Sequence, residues 1–177
     1  MDYDVLFGTL VEYRGEEEYA QIPTEAVGSG SSECGFVRLH DPRAVTVIGK
    51  AAFMGNQKLK GVTIPDQVKN IERYAFYDCR NLLGISIPDS VLSIGERAFS
   101  CCESLSEVDL GHGVKSISWE AFSGCESLKS IAIPESVIRI ERNAFKDCHP
   151  DFIIFGKRNT AAEDYAKENG IEFEEIE

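Results

Sequence analysis

Apolar residues recur along this chain at a fixed interval of 23 residues. Phe53, Phe76, Phe99, Phe122 and Phe145 follow this spacing, and an alanine precedes each of them. A constant period of this length is typical of repeat proteins, in which each repeat is one structural unit that stacks on its neighbours. The pattern therefore predicts a single repetitive domain that spans residues 1–177.

The period divides the centre of the chain into four full repeats, 59–81, 82–104, 105–127 and 128–150, which a degenerate repeat at 36–58 precedes. In the last repeat, Ile131 and Ile133 alternate with small residues as in a strand, and Pro134 ends ladder pairing on that side. The segment around Ala144–Phe145 lacks β-branched residues, which predicts a short helical or 3₁₀ turn.

One repeat does not fold alone, because eight apolar side chains do not offset the conformational entropy of ordering 23 residues. Stacked repeats share backbone hydrogen bonds and cover each other's apolar faces. The repeated residues are thus predicted to form the interior wall of a stack of coils.

The repeat pattern LxxIxIPxSVxxIxxxAFxxC resembles that of the BspA-like leucine-rich-repeat family, which is known from many bacterial surface proteins. The resemblance is strong over 59–150 and weak over 36–58. It implies a leucine-rich-repeat solenoid, a β-rich α/β right-handed coil of 23-residue repeats. It also implies recognition through the variable positions between the buried ones, and some members of the family are adhesins for host proteins.

The ends of a solenoid require caps, since terminal coils otherwise expose apolar surface and unpaired strand edges. Residues 1–35 are predicted to form an N-terminal cap, with a β-hairpin of Val5–Phe7 and Leu10–Tyr13 and a flexible loop at 28–35. Residues 151–177 are predicted to form a strand–helix–strand cap. In it, Thr160 and Glu163 form a capping box at the start of the helix, and Asn169–Gly170 ends it.

The formal net charge is −12, and most of it lies outside the full repeats. Residues 59–150 hold 10 basic and 13 acidic residues, a net of −3, so the other residues carry −9. Such a chain is expected to repel nucleic acid. The acidic ends oppose end-to-end stacking, which favours a monomer. No apolar run is long enough to span a bilayer, so membrane insertion is not expected.

Four cysteines share one repeat position, which Asn56 occupies in the degenerate repeat: Cys79, Cys102, Cys125 and Cys148. Their spacing lacks the CxxC pairs of metal sites, and stacked side chains point the same way, which opposes disulfides. They are predicted to be structural, each offering a polar hydrogen to a carbonyl of a neighbouring coil. Cys101 is predicted to be a free thiol, and Cys34, in the Gly/Ser loop, the most reactive one.

No catalytic motif is present in the sequence. His40, His112 and His149 fall at different repeat positions, and no nucleophile is combined with a histidine and a carboxylate in a known pattern. The chain is therefore predicted not to be an enzyme and to need no metal or cofactor.

Large apolar residues at positions where other repeats are polar mark candidate contacts with a partner. They are Trp119, Tyr74, Tyr77, Leu92 and Ile138. Glu107 and Asp109 are further candidates. They occupy the outward positions of a first strand, where the other full repeats have small residues. Packing against a cap or a neighbouring coil is the alternative explanation for the aromatic residues.

These features and the resemblance predict a non-catalytic protein-binding module, a bacterial recognition or adhesion protein whose partner is a host matrix protein or a glycan. An intracellular protein-interaction scaffold is the second hypothesis, favoured by free cysteines and by an N-terminus without the pattern of a secretory signal. A passive spacer is the third. The cellular location stays open.

Overall fold

The computed structural model describes residues 3–6, 9–13, 15, 17–22 and 45–176. This part of the chain contains fourteen strands and one helix. The elements are β1 (Tyr3–Leu6), β2 (Thr9–Tyr13), β3 (Tyr19–Gln21), β4 (Val47–Ile48), β5 (Gly61–Thr63), β6 (Asn70–Ile71), β7 (Gly84–Ile87), β8 (Ser93–Ile94), β9 (Glu107–Leu110), β10 (Ser116–Ile117), β11 (Ser130–Ala132), β12 (Arg139–Ile140), β13 (Ile153–Gly156), α1 (Ala161–Asn169) and β14 (Glu172–Glu175).

Each full repeat contributes two short strands, which enter different sheets. The second strands continue one seven-stranded sheet in the order β1-β2-β4-β6-β8-β10-β12. The first strands form the orders β3-β5-β7-β9 and β11-β13-β14. In the seven-stranded sheet, Ile71 pairs with Ile94 and Ile94 with Ile117, so the register advances by one repeat per coil. The predicted leucine-rich-repeat solenoid is confirmed.

The phenylalanines stack along the solenoid axis in the core. Centroids of neighbouring rings from Phe53 to Phe145 are 4.7, 5.0, 5.1 and 5.4 Å apart, with interplanar angles of 4–11°. Tyr13 of β2 continues the stack at one end, with its ring centroid 4.9 Å from that of Phe53. Phe152 and Tyr165 close it at the other end, against Phe145. The aromatic core therefore runs from one cap to the other.

The turn that follows each second strand is not helical, so the predicted short helical or 3₁₀ turn is wrong. Bonds between residues three apart, such as Tyr77 N–H to Tyr74 O at 3.0 Å, do not follow one another as in a 3₁₀ helix but alternate with bonds to the next coil, such as Tyr74 N–H to Glu96 O at 2.9 Å. Two residues in each turn have a positive φ, which a right-handed helix does not contain. In the first full repeat these are Tyr74, with φ 61°, and Asp78, with φ 59°.

The four cysteines that share a repeat position each donate a hydrogen bond to the preceding coil. The acceptor is the carbonyl of the phenylalanine 26 residues earlier, with Sγ···O distances of 3.0, 3.2, 3.3 and 3.4 Å for Cys79, Cys102, Cys125 and Cys148. At the same position, Asn56 instead accepts, through Oδ1, from the N–H groups of Lys58 and Leu59. The described cysteines are all free, Cys101 among them.

The first coil begins earlier in the sequence than residue 36. β3 pairs in parallel with β5, with Ala20 opposite Val62, so Tyr19–Gln21 takes the place of a first strand. These residues belong to the N-terminal cap in the boundaries predicted from the sequence. The 23-residue spacing misses them because more than twenty residues separate β3 from Val45. Residues 23–44, which include Cys34, His40 and the predicted loop at 28–35, lie outside the described residues.

The described residues form a hairpin near one end and a strand–helix–strand unit at the other. β1 and β2 form an antiparallel hairpin that joins β4 through β2, and β14 pairs with β13 beside α1. The capping box of α1 is wrong in its details. Thr160 donates its hydroxyl to Lys157 O at 2.7 Å, and Glu163 accepts from Asn159 N–H at 2.7 Å rather than from Thr160. Gly170, with φ 66°, ends the helix.

Candidate functional site

The candidate residues lie on two sides of the coil, and the structure does not bring them together. Glu107 and Asp109 are exposed on β9, in a sheet of first strands. Leu92 and Ile138 directly precede β8 and β12, and Trp119 follows β10. These three strands belong to the sheet of second strands. The outer surface of the sheet of second strands and its adjoining turns is called the second-strand face. It comprises residues 45–51, 68–74, 91–97, 114–120 and 137–143.

Lys69, Leu92, Lys115 and Ile138 form a column across four coils of the second-strand face. Backbone hydrogen bonds join each member to the next, from Leu92 N–H to Lys69 O, Lys115 N–H to Leu92 O and Ile138 N–H to Lys115 O, at 2.8, 2.9 and 3.0 Å. Leu92 is 47% exposed and Ile138 is 77% exposed. The column therefore alternates basic and apolar side chains at a spacing of one coil.

Arg97 organises the aromatic candidates. Its guanidinium carbon lies 4.4 Å from the centroid of the Trp119 ring, a cation–π contact between neighbouring coils. Its Nε donates to Glu120 Oε2 at 2.8 Å, and this bond is the largest cause of a raised Arg97 pKa. Nη1 of Arg97 also donates to the Tyr74 hydroxyl at 3.4 Å.

Trp119 and the two tyrosines are half-buried within this intramolecular network. Trp119 N–H donates to Glu141 Oε2 at 2.9 Å, and the Tyr74 and Tyr77 rings meet edge to face with centroids 5.6 Å apart. Cys101, next to Tyr77, is the largest cause of a raised Tyr77 pKa. Contacts with neighbouring coils thus occupy one face of Trp119 and the hydroxyl of Tyr74, whose ring packs on Tyr77 within its own coil.

Asp109, one of the two acidic candidates, borders an open depression of about 550 Å³ on the first-strand side. Asp109 Oδ2 accepts from the Ser86 hydroxyl at 3.1 Å, and Asp89 Oδ1 accepts from His112 N–H at 2.7 Å. These hydrogen bonds hold carboxylates of adjacent coils in place. Glu107, at the start of β9, is exposed above Gly84.

Charge is segregated between the two sides of the coil. The second-strand face carries seven Lys/Arg and four Glu, a net of +3: Lys50, Lys69, Arg73, Arg97, Lys115, Arg139 and Arg142 against Glu72, Glu96, Glu120 and Glu141. The first-strand segments 59–67, 82–90, 105–113 and 128–136 carry two Lys and five Asp/Glu, a net of −3. The positive charge of the second-strand face was not predicted from the sequence. The alternation of Lys69, Leu92, Lys115 and Ile138 at one repeat position indicated it.

Among residues 3–6, 9–13, 15, 17–22 and 45–176, no three His, Cys, Asp or Glu side chains are grouped in a way that suits a metal ion. In the same part of the chain, no helix has the length and apolar character needed to cross a membrane.

Residues 32–169 match six copies of the BspA type leucine-rich-repeat region. The chain belongs to this family. The match extends beyond residue 150 into α1, and it counts one copy more than the five repeats that the 23-residue period defines. No curated protein matches the chain.

Solved structures of bacterial leucine-rich-repeat proteins share the fold of this BspA-type chain. The T. pallidum Leucine Rich Repeat protein is 26% identical with a TM-score of 0.74, and the match covers 86% of this chain and 67% of that one. A leucine rich cell surface protein from Faecalibacterium prausnitzii is 26% identical with a TM-score of 0.51, over 84% and 50%. A leucine-rich repeat protein from Bacteroides capillosus is 27% identical with a TM-score of 0.53, over 88% and 92%.

Proposed function

We propose that this protein is a non-catalytic protein-binding module that acts in recognition or adhesion at the bacterial surface. The observation that supports this proposal is the exposure of Leu92 and Ile138 on the second-strand face. Lys69 and Lys115 occupy the same repeat position in the other full repeats. Single exposed apolar residues are ordinary on protein surfaces. Two of them at one repeat position, each with a lysine beside it, form one patch that offers a partner both apolar and charged contacts.

The surface location is supported by the family and by a neighbour. The protein from Faecalibacterium prausnitzii is described as a leucine rich cell surface protein, and this chain spans half of its length. A host matrix protein or a glycan is the partner class that we propose for such a location. Parallel coils whose polar groups are mostly exposed provide a scaffold for binding rather than a water-excluding pocket for catalysis.

An intracellular interaction scaffold is the second candidate, and the thiols favour it. All the described cysteines are free, and Cys101 is partly exposed. Free thiols of this kind persist more readily in a reducing compartment. A passive spacer is a third candidate, which predicts no partner at either face.

The binding surface is tested with the double variant Leu92→Ser/Ile138→Ser, which removes both apolar side chains of the column without adding charge. We expect affinity for a cognate partner to fall by about tenfold or more, because both apolar anchors are lost. The measurement is biosensor binding to a panel of purified extracellular-matrix proteins and glycans. Leu83→Ser, which removes an equally exposed (47%) apolar side chain on the first-strand side, is the matched control and keeps full affinity. Equal affinities for the double variant and the native chain rule out the second-strand face.

The location is tested by labelling intact cells of the source organism with a membrane-impermeant reagent. Labelling of the protein supports a role at the surface. Protection from the reagent, with recovery of the protein in the soluble lysate, contradicts that role and supports the scaffold.

A further inference from the structure

We propose that the partner segment of the second-strand face is an acidic amphipathic α-helix that lies along the solenoid axis, across the four coils of the column. This inference rests on the proposed function and specifies the partner of the same surface. It is carried by the spacing of the column, by its alternating chemistry and by its charge.

The spacing of the column matches that of a helix. Neighbouring strands of a sheet lie about 4.8 Å apart, so Leu92 and Ile138, two coils apart, are separated by about 10 Å along the axis. On a helix, residues i and i+7 are separated by about 10.5 Å along the axis, and residues at i+3 or i+4 fall between them. One face of a helix therefore presents a side chain to every member of the column.

Extended segments fit the column less well. Alternate residues of a strand are about 6.7 Å apart, which falls out of step with the coils after one contact. A polyproline II segment brings one side chain to a given face about every 9.3 Å. Such a segment meets the apolar positions or the lysines, but not both.

The charge of the column selects an acidic helix. Lys69 and Lys115 are exposed, and neither forms an ion pair with a described residue. By contrast, Arg97 is paired with Glu120 and Arg139 with Glu141. A chain with a net charge of −12 repels acidic segments in general, so a face of net +3 directs them to this side. On the partner helix, carboxylates face the two lysines, and the apolar residues that alternate with them face Leu92 and Ile138.

The helix of this chain does not supply that partner in a second copy. In α1, the apolar residues Ala162, Tyr165 and Ala166 are buried against the last coil. The Tyr165 hydroxyl accepts from Phe145 N–H at 3.2 Å, which ties the helix to its own core. A separate protein is therefore the occupant that we propose.

The test uses the full chain and a synthetic, side-chain-stapled helical peptide of about 18 residues, with Glu at i and i+7 and Leu at i+4 and i+11. We expect saturable binding by fluorescence anisotropy, weakened by salt and by about tenfold in Lys69→Glu/Lys115→Glu. The same double variant is expected to gain affinity for a peptide in which Lys replaces both Glu residues. Lys129→Glu, next to the first strand β11, is the matched control and binds the acidic peptide like the native chain.

Several results overturn the inference. They are no saturable binding up to about 100 μM peptide, equal binding of the Glu and Lys peptides, or no effect of Lys69→Glu/Lys115→Glu. Lysine-dependent binding to phosphatidylserine vesicles without peptide binding points to a membrane surface instead. Lysine-dependent self-association in sedimentation experiments points to a second copy.

The outcome is separable from that of the proposed function. Matrix or glycan binding that depends on Leu92 and Ile138, in the absence of peptide binding, retains the binding module and removes the helical partner. Peptide binding by a protein that is protected from surface labelling retains the helical partner and removes the adhesin.

Discussion

Two left-handed residues in each coil shape the turn after the second strand. The first position is held by Ala51, Tyr74, Arg97, Glu120 and Asn143, and the second by Gly55, Asp78, Cys101, Gly124 and Asp147. This backbone directs their N–H groups along the solenoid axis, as in Gly124 N–H to Lys146 O at 2.8 Å. A non-glycine residue costs about 1–2 kcal/mol in this conformation, so the bonds between coils hold most of these positions against strain.

Gly124→Ala isolates this strain. A Cβ at Gly124 meets its nearest atom at 3.6 Å, so space is available, but φ is 75°. We expect a loss of about 1 kcal/mol in the free energy of unfolding, measured by urea denaturation. Gly84→Ala is the matched control, because its nearest atom is 3.5 Å away and its φ lies outside the left-handed region. A similar loss in both variants would contradict the role of φ.

The coil is the element that repeats, and the phenylalanine stack couples each coil to the next. The Phe99 ring lies between those of Phe76 and Phe122, at 5.0 and 5.1 Å, and is fully buried. Cys102 and Cys125, beside the stack, donate to Phe76 O and Phe99 O. Phe76 and Phe99 thus each contribute both a packed ring and a backbone acceptor to the next coil.

Phe99→Ala is expected to lower the free energy of unfolding by about 3–5 kcal/mol, since it leaves a cavity that rigid coils on both sides fill poorly. Thermal and urea unfolding followed by circular dichroism measure the change. Phe155→Ala, on the half-buried β13 position outside the stack, is the comparison and loses less. If the two variants were equally stable, the stack would not be the main coupling between coils.

Four thiols, three of them buried and that of Cys148 partly buried, give the whole molecule a dependence on alkaline pH. Burial raises the pKa of Cys79 and Cys148 from 9.0 to about 12, and raises the pKa of Cys102 and Cys125 well above 9.0. Between about pH 9 and pH 12, these thiols lose their protons in the unfolded chain and keep them in the folded chain. The stability present below about pH 9 is therefore lost as pH rises towards 12, by about 1.4 kcal/mol per pH unit for each thiol.

Urea unfolding at a series of pH values from 8 to 11 measures this loss. Cys125→Ser provides the control, because a serine hydroxyl can make the same bond to Phe99 O and does not titrate in this range. The unfolding free energy of this variant should fall less steeply with pH than that of the native chain. The difference between the two slopes is the contribution of one thiol. Parallel curves for the two proteins would show that Cys125 does not titrate on unfolding.

The sequence by itself determined the architecture, because a strict 23-residue period places equivalent residues one coil apart whatever their local conformation. The partners of Phe99 and the alignment of Cys102 with Cys125 follow from this period. The period also predicted where the full repeats begin and end. It failed at β3, since more than twenty residues separate Tyr19–Gln21 from the rest of its coil and break the spacing.

Only the tertiary structure decided the turn conformation and the fate of the candidate site. Positive φ at Tyr74 depends on a bond from its N–H to Glu96 O in the next coil, which local propensity does not contain. Trp119 and Ile138 look alike in the sequence, as apolar residues at variable positions. Arg97 of the preceding coil covers one face of Trp119, whereas Ile138 stays exposed, because exposure depends on which side chains the stacking places next to each residue.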